Sequence, residues 1–206
     1  MKTNLTENSV LRQRARASLA GKWGLAVGIT ALYMAISIIA SSMRHPAGTL
    51  LSLLISGPLA VGMATFALSI SRNKEANIEQ LFTGFKKYGR SLVAYLLIVI
   101  FVLLWALLLI VPGIIAALSY VMTYFILVDD ETISAHDAIK KSKKMMYGHK
   151  WKCFRLALIF ICWGILSIFT LGIGFLWLIP YIQVTMAKFY DELKTSAEPA
   201  LENASN

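Results

Sequence analysis

Residues 110–114 read IVPGI, and they lie inside an apolar run, Ser91 to Val128, that contains no Asp, Glu, Lys, Arg or His. As one helix those 38 residues would extend roughly 57 Å, against a hydrocarbon core of roughly 30 Å. Tilt does not absorb that excess. Two spans of about 18 residues with a tight turn between them do fit. Pro112 has no backbone N–H to donate and Gly113 tolerates positive φ, so the pair reads as the turn of a helical hairpin.

Working outward, the same reasoning divides the rest of the chain. Ionisable side chains are also absent from 23–43, 46–71 and 156–187, and 57% of the 206 residues are hydrophobic. LGIG at 171–174 marks a second turn, and MRHPAG at 43–48 a third. The expected fold is an all-α membrane protein of six transmembrane helices in three hairpins, with spans near 23–43, 48–71, 91–111, 114–128, 151–170 and 174–190. Residues 9–194 form one membrane domain in this reading, and the polar ends, 1–8 and 195–206, are expected to be disordered. Pro58 and Pro180 fall within the second and sixth spans and are expected to bend them.

The net charge of +9 suits nucleic acid only if its placement is ignored. Segments 1–22, 72–90, 129–155 and 188–206 carry 19 of the 20 Lys and Arg residues, and Arg44 alone lies on the other side. The positive-inside rule then puts both termini in the cytoplasm of a bacterial-type cell, in its cytoplasmic membrane, with no nucleic-acid partner. The first apolar segment, 21 residues, exceeds a signal-peptide core of about 7–15, so it reads as an uncleaved span. Cys153 and Cys162 fall on opposite faces of one helix and do not form a disulfide.

A basic amphipathic stretch precedes each hairpin. In NIEQLFTGFKKYGR (77–90), Ile78, Leu81, Phe82 and Phe85 follow helical spacing. Ala135, Ala138, Ile139, Met145 and Met146 form a second stripe, and Leu11, Ala15, Ser18 and Leu19 a third. Such helices lie in the membrane interface, and their recurrence suggests three divergent repeats. Gly24, Gly28, Ala31 and Ala35 make a small-residue face on the first span, suited to packing within the chain or to a homo-oligomer.

Three stretches together resemble a known family. They are VPGIIAALSYVMTYFILVDD (111–130), SAHDAIKKSKKMMYGHKWKCF (134–154) and PYIQVTMAKFYDEL (180–193). With ARASLAGKWG (15–24), they resemble a bacterial integral membrane family known as domain of unknown function 975. The resemblance implies a multi-pass membrane protein and supplies no activity.

The residues themselves offer little chemistry. In DDETISAHDAIKKSKK (129–144), Ser134 reads as a helix N-cap and Asp137 as its capping-box partner, with Asp129, Asp130 and Glu131 favouring the positive end of the helix. A membrane enzyme would need those carboxylates to converge with a histidine. No Walker loop, GxSxG, HExxH or dinucleotide fingerprint occurs, and no cofactor is expected. The anionic lipid headgroups of the cytoplasmic leaflet are the expected partners, contacted best by Arg90, Lys150, Lys152 and Arg155 at span ends. Tyrosines near span ends read as interface anchors, and Gln183 is the most polar mid-span side chain. The best reading is a non-enzymatic envelope-maintenance, accessory or immunity-type protein acting through lipid and helix contacts. The alternative is a transporter or channel for a lipid-like or apolar molecule, which needs a cavity near Pro58, Pro112, Pro180 and Gln183.

Overall fold

A computed structural model describes residues 5–42 and 47–202 of this chain. The MRHPAG connection therefore falls largely outside the described residues, as do 1–4 and 203–206. Among the described residues the fold is entirely helical. The elements are α1 (Asn8–Leu19), α2 (Trp23–Ser42), α3 (Ala47–Ser71), a 3-10 turn (Ile78–Phe82), α4 (Thr83–Lys86), α5 (Tyr88–Leu108), α6 (Ile110–Tyr120), α7 (Thr123–Asp129), α8 (Ala135–Met145), α9 (Lys150–Phe169) and α10 (Phe175–Glu202). Among the described residues, five segments are long and apolar enough to cross a membrane: Trp23–Ser42, Gly48–Ser71, Tyr88–Leu108, Ile110–Asp129 and Lys150–Phe169.

Helix α3 is the mast of the bundle. It packs against α1, α2, α5, α7 and α10, and its Leu59, Met63, Phe66 and Ile70 are almost fully buried. The peripheral helices turn their apolar surface outward. Leu107 on α5 is 84% exposed, Phe169 on α9 is 81% exposed, and Leu171 beyond it is 94% exposed. In water, so continuous a girdle would drive aggregation; in lipid it is the solvated surface.

The chain reverses just before IVPGI, three residues ahead of Pro112. Leu109 is the break, with extended φ −161° and ψ 145°, and α6 already starts at Ile110. Pro112 sits in the first turn of α6, where its missing N–H is one the helix leaves unpaired anyway. Gly113 keeps helical φ. Its role is close approach: a Cβ there would lie 2.8 Å from Ala106 Cα. Small residues thus let α6 fold back tightly on α5, and Tyr120 reaches Phe101 with ring centroids 6.1 Å apart. The turn at LGIG falls as expected between α9 and α10, with Leu171 and Gly172 in the left-handed region at φ 53° and 85°.

Two expectations change. The stretch 77–90 is not one amphipathic helix but the 3-10 turn and the four-residue α4, because Leu81 alone of its stripe is buried while Ile78, Phe82 and Phe85 face outward. The apolar stripes of α1 and α8 do not lie on lipid. Leu11, Ala15 and Leu19 of α1 are buried against the bundle, and the Tyr181 hydroxyl donates to the Arg12 carbonyl at 3.4 Å. On α8, Ala135, Ala138, Ile139 and Ser142 are buried, and Ser142 donates to the Ser119 carbonyl at 2.8 Å. Among the described residues α1 begins at Asn8 and α10 runs to Glu202.

The small-residue face of α2 is not packed within the chain. Gly24, Gly28, Ala31 and Ala35 are all exposed, and a Cβ on Gly24 or Gly28 would meet nothing within 4 Å.

Candidate functional site

Two features stand apart from ordinary helix packing: a charged layer at one end of the bundle and a cavity at its middle height.

The layer centres on Arg72, the first residue after α3. Its Nη1 and Nη2 donate to the two oxygens of Asp129 at 2.6 and 2.8 Å, and Nε and Nη2 donate to Asp191 Oδ1 at 3.0 and 2.7 Å. Ser71 donates to the other Asp191 oxygen at 2.8 Å, while Lys194 and the Tyr190 hydroxyl donate to Asp129 Oδ2 at 2.8 and 3.1 Å. The fork of the guanidinium matches two carboxylates at once, which a lysine ammonium does not do. The sequence reading took Asp129 for a helix-end charge and missed this cluster. A signal for it exists: Arg72 and Asp129 are each the first charge after a long apolar run, and Asp191 follows the apolar half of α10, so all three sit at one depth.

Beside it, Lys152 pairs with Glu192 at 2.9 Å and lies 5.1 Å from the Phe189 ring centroid. The Thr6 backbone N–H also donates to Glu192, and Asn8 donates to the Lys152 carbonyl at 3.1 Å. Burial alone would raise the Glu192 carboxyl, but the hydrogen bonds from Thr6 and Lys152 hold it below the usual value. A lowered carboxyl contributes stability above its unfolded pKa, ~4.3, and loses it as pH falls through the lower folded value. Against Glu192→Gln, the wild type is therefore expected to melt higher by the equivalent of about 1–2 kcal/mol near neutral pH. That difference should close below pH ~4. A gap unchanged at pH 3 would remove the ionised carboxylate from the account.

The four proposed lipid contacts separate. Arg90 donates to the Asp130 and Ile133 carbonyls at 3.0 and 3.3 Å and also to the Leu127 carbonyl, so it caps the C-terminal end of α7. Lys152 is neutralised by Glu192. Lys150 and Arg155 make no ion pair among the described residues, and Arg155 is exposed. The four therefore do not converge on one pocket. Ser134 caps α8 as expected, accepting from the Asp137 N–H at 3.1 Å, though the Asp137 carboxylate takes the Ser134 hydroxyl proton rather than a backbone one.

The cavity has a volume of about 490 Å³ and is only partly enclosed. Its wall is built from α2 through Tyr33, α3 through Met63, α5 through Ile98, α6 and α7 through Tyr120 and Tyr124, and α10 through Gln183. Tyr33, Met63 and Ile98 lie near the midpoints of their helices, so the cavity sits at mid-height. Of the residues that pointed to it in the sequence, only Gln183 lines it; Pro58, Pro112 and Pro180 do not. Tyr33, Tyr120 and Tyr124, which nothing in the sequence singled out, form its polar wall together with Gln183.

The backbone is irregular at this point. Helix α6 ends at Tyr120 and α7 begins at Thr123, and Val121 between them is a wall residue. The carbonyl of Tyr120 accepts the Thr123 hydroxyl at 2.7 Å in place of a helical N–H. Interrupted helices at membrane depth are tolerated where they are buried in protein or line a cavity, and in transporters they mark binding sites. On the charged side the cavity is floored by Phe125, which stacks on Tyr190 at 5.6 Å, whose hydroxyl reaches Asp129. The cluster around Arg72 thus stands directly behind that floor.

A family model described as "Protein of unknown function (DUF975)" matches residues 1–119 and 106–197. No curated protein and no solved structure matches the chain.

Proposed function

We propose, of a chain that belongs to the DUF975 family, that it is a non-enzymatic six-span protein of the bacterial cytoplasmic membrane acting through lipid and helix contacts. Its role is of the envelope-maintenance, accessory or immunity type, and both termini are cytoplasmic. The observation that carries this reading is a set of contacts between four distant segments. Lys22 Nζ donates to the Lys74 carbonyl at 3.2 Å, Lys87 meets Glu131 at 2.7 Å, Lys152 meets Glu192 at 2.9 Å, and Arg72 meets Asp191 at 2.7 Å. The basic segments 5–22, 72–90, 129–155 and 188–202 therefore share one layer, and the chain between any two of them crosses an even number of times. Helix α9 leaves that layer at Lys150 and residue 191 is back in it, so residues 175–190 form the sixth crossing. They extend only roughly 24 Å as helix, which a thinned bilayer matches. The charge asymmetry of the loops points the layer to the cytoplasm. Its exposed cations, Lys86, Lys140, Lys141, Lys143 and Lys144 with Arg155, face anionic headgroups, each contributing about 1 kcal/mol.

The test is labelling of single cysteines, introduced after Cys153 and Cys162 are replaced, with a membrane-impermeant maleimide. Lys74→Cys, Lys140→Cys and Thr195→Cys are expected to react only from the cytoplasmic side, and Ser42→Cys and Thr170→Cys only from the other. Reaction of Thr195→Cys from the outer side would leave five crossings and overturn the proposal.

A second reading, a carrier or channel for a lipid-like molecule, is favoured by the mid-height cavity and the broken helix at its wall.

A further inference from the structure

We infer that the cavity is a binding site for an uncharged, single-chain amphiphile whose head carries hydroxyl or carbonyl oxygens. The inference rests on the second reading above and names its ligand.

Charge is excluded first. Among the described residues no Asp, Glu, Lys, Arg or His lines the cavity, and its polar side chains are Tyr33, Tyr120, Tyr124 and Gln183. An ionised headgroup placed at mid-height would find no counter-ion, and transfer of an unpaired charge to such a site is prohibitive. A plain hydrocarbon fits no better. The side chains of Tyr120, Tyr124 and Gln183 make no hydrogen bond among the described residues, and Tyr124 lies within electrostatic reach of Tyr95 and Tyr33. An alkane would leave these donors and acceptors unpaired, whereas a hydroxyl or carbonyl oxygen satisfies them. The remaining wall, with Met63, Met186 and Ile182 among it, suits a flexible chain, and methionine adapts to irregular apolar shapes.

Size and position restrict the ligand further. An apolar cavity of roughly 150 Å³ holds one benzene-sized molecule, so about 490 Å³ takes a head and a length of one chain, not two chains. The way in is lateral. Ala117 is exposed and belongs to the wall, whereas the charged end is stopped by Phe125 on Tyr190. A molecule already dissolved in the bilayer reaches the opening without crossing the layer of ion pairs.

The experiment is native mass spectrometry of the full chain released from detergent, after incubation with monoolein, with oleate at pH 8, or with 1-octadecene. Wild-type protein is expected to retain one monoolein per chain and to retain oleate and octadecene at least about tenfold less. Gln183→Leu, close in shape, should lower monoolein retention about tenfold and leave octadecene unchanged. Ala117→Trp, at an exposed position, should block entry while leaving the melting temperature in place. Equal retention of all three probes, abolished by Ala117→Trp, would keep a lipid-binding cavity and overturn the assignment of an uncharged polar head. Retention indifferent to both substitutions would overturn the cavity reading itself, whatever the cysteine labelling shows for the six crossings.

Discussion

Gly62→Ala is expected to remove most of the folded protein, although it adds one methyl group. The added Cβ would stand 1.8 Å from the Leu81 carbonyl oxygen and 2.5 Å from its carbonyl carbon. Those are backbone atoms and cannot rotate away. Gly84 faces the same helix from the other side of the contact, its added Cβ 2.0 Å from the Pro58 carbonyl oxygen. Together the two glycines let the segment 78–86 lie directly on the backbone of α3, and Leu81 is fully buried there. Relief needs a backbone displacement of more than about 1 Å, which lifts Leu81 from the core and opens the seat of α5. A cost of roughly 3–5 kcal/mol follows, a large part of the ~5–15 kcal/mol that holds a domain folded. Gly24→Ala and Gly28→Ala are the controls. Nothing lies within 4 Å of either added Cβ, and alanine in a helix interior gains about 0.5–1 kcal/mol over glycine. The measurement is the yield of monodisperse protein in detergent together with its melting temperature. Equal behaviour of Gly62→Ala and Gly28→Ala would show that the segment 78–86 does not lie where the geometry puts it.

That contrast also shows what the sequence tells and what it withholds. Gly24 and Gly28 share one helix face at the spacing that suggests helix contact, and Gly62 and Gly84 lie in different elements with no such pattern; yet the exposed pair touches nothing and Gly62 and Gly84 carry the tight crossing. Apolar length is a local property, so five segments long enough to cross a membrane, the turn at LGIG and the N-cap at Ser134 were legible. The faces of α1 and α8 were legible as apolar, but periodicity does not state whether lipid or protein covers a face. Here protein covers both. Pro112 announced a reversal correctly and misplaced it, because a proline belongs in the first turn of the helix that follows the break. The cavity was hardly legible. Its wall draws on α2, α3, α5, α6, α7 and α10, and only Gln183 departed from the local apolar background enough to draw notice.

Arg72→Gln is the substitution expected to separate architecture from surface charge. Arg72 is 57 residues from Asp129 and 119 from Asp191 in sequence, yet one guanidinium bonds both carboxylates. Without it, Asp129 keeps Lys194 and Tyr190, and Asp191 keeps Ser71, but the two carboxylates then face each other across the space the guanidinium filled. Breaking a buried pair costs about 3–5 kcal/mol because the stranded charge remains. The Asp129 side chain is only 10% exposed, while those of Arg72 and Asp191 are each 29% exposed, so water recovers part of this. A loss of roughly 3 kcal/mol is expected, which for a chain of this size lowers the melting temperature by about 6–12 °C. Arg72→Lys should recover less than half, since an ammonium does not span two carboxylates. Adding Asp191→Asn to Arg72→Gln should restore about 1–2 kcal/mol by removing the repulsion, and that non-additivity is the signature of a shared network. The effect should reach the cavity as well, because Asp129 positions the Tyr190 ring on which Phe125 rests. Monoolein retention should therefore fall in Arg72→Gln at temperatures where the protein is still folded, and recover in the double variant. If Arg72→Gln instead melts with the wild type, the cluster is screened like an ordinary surface pair, and the floor of the cavity is held by the packing of Phe125 on Tyr190 alone.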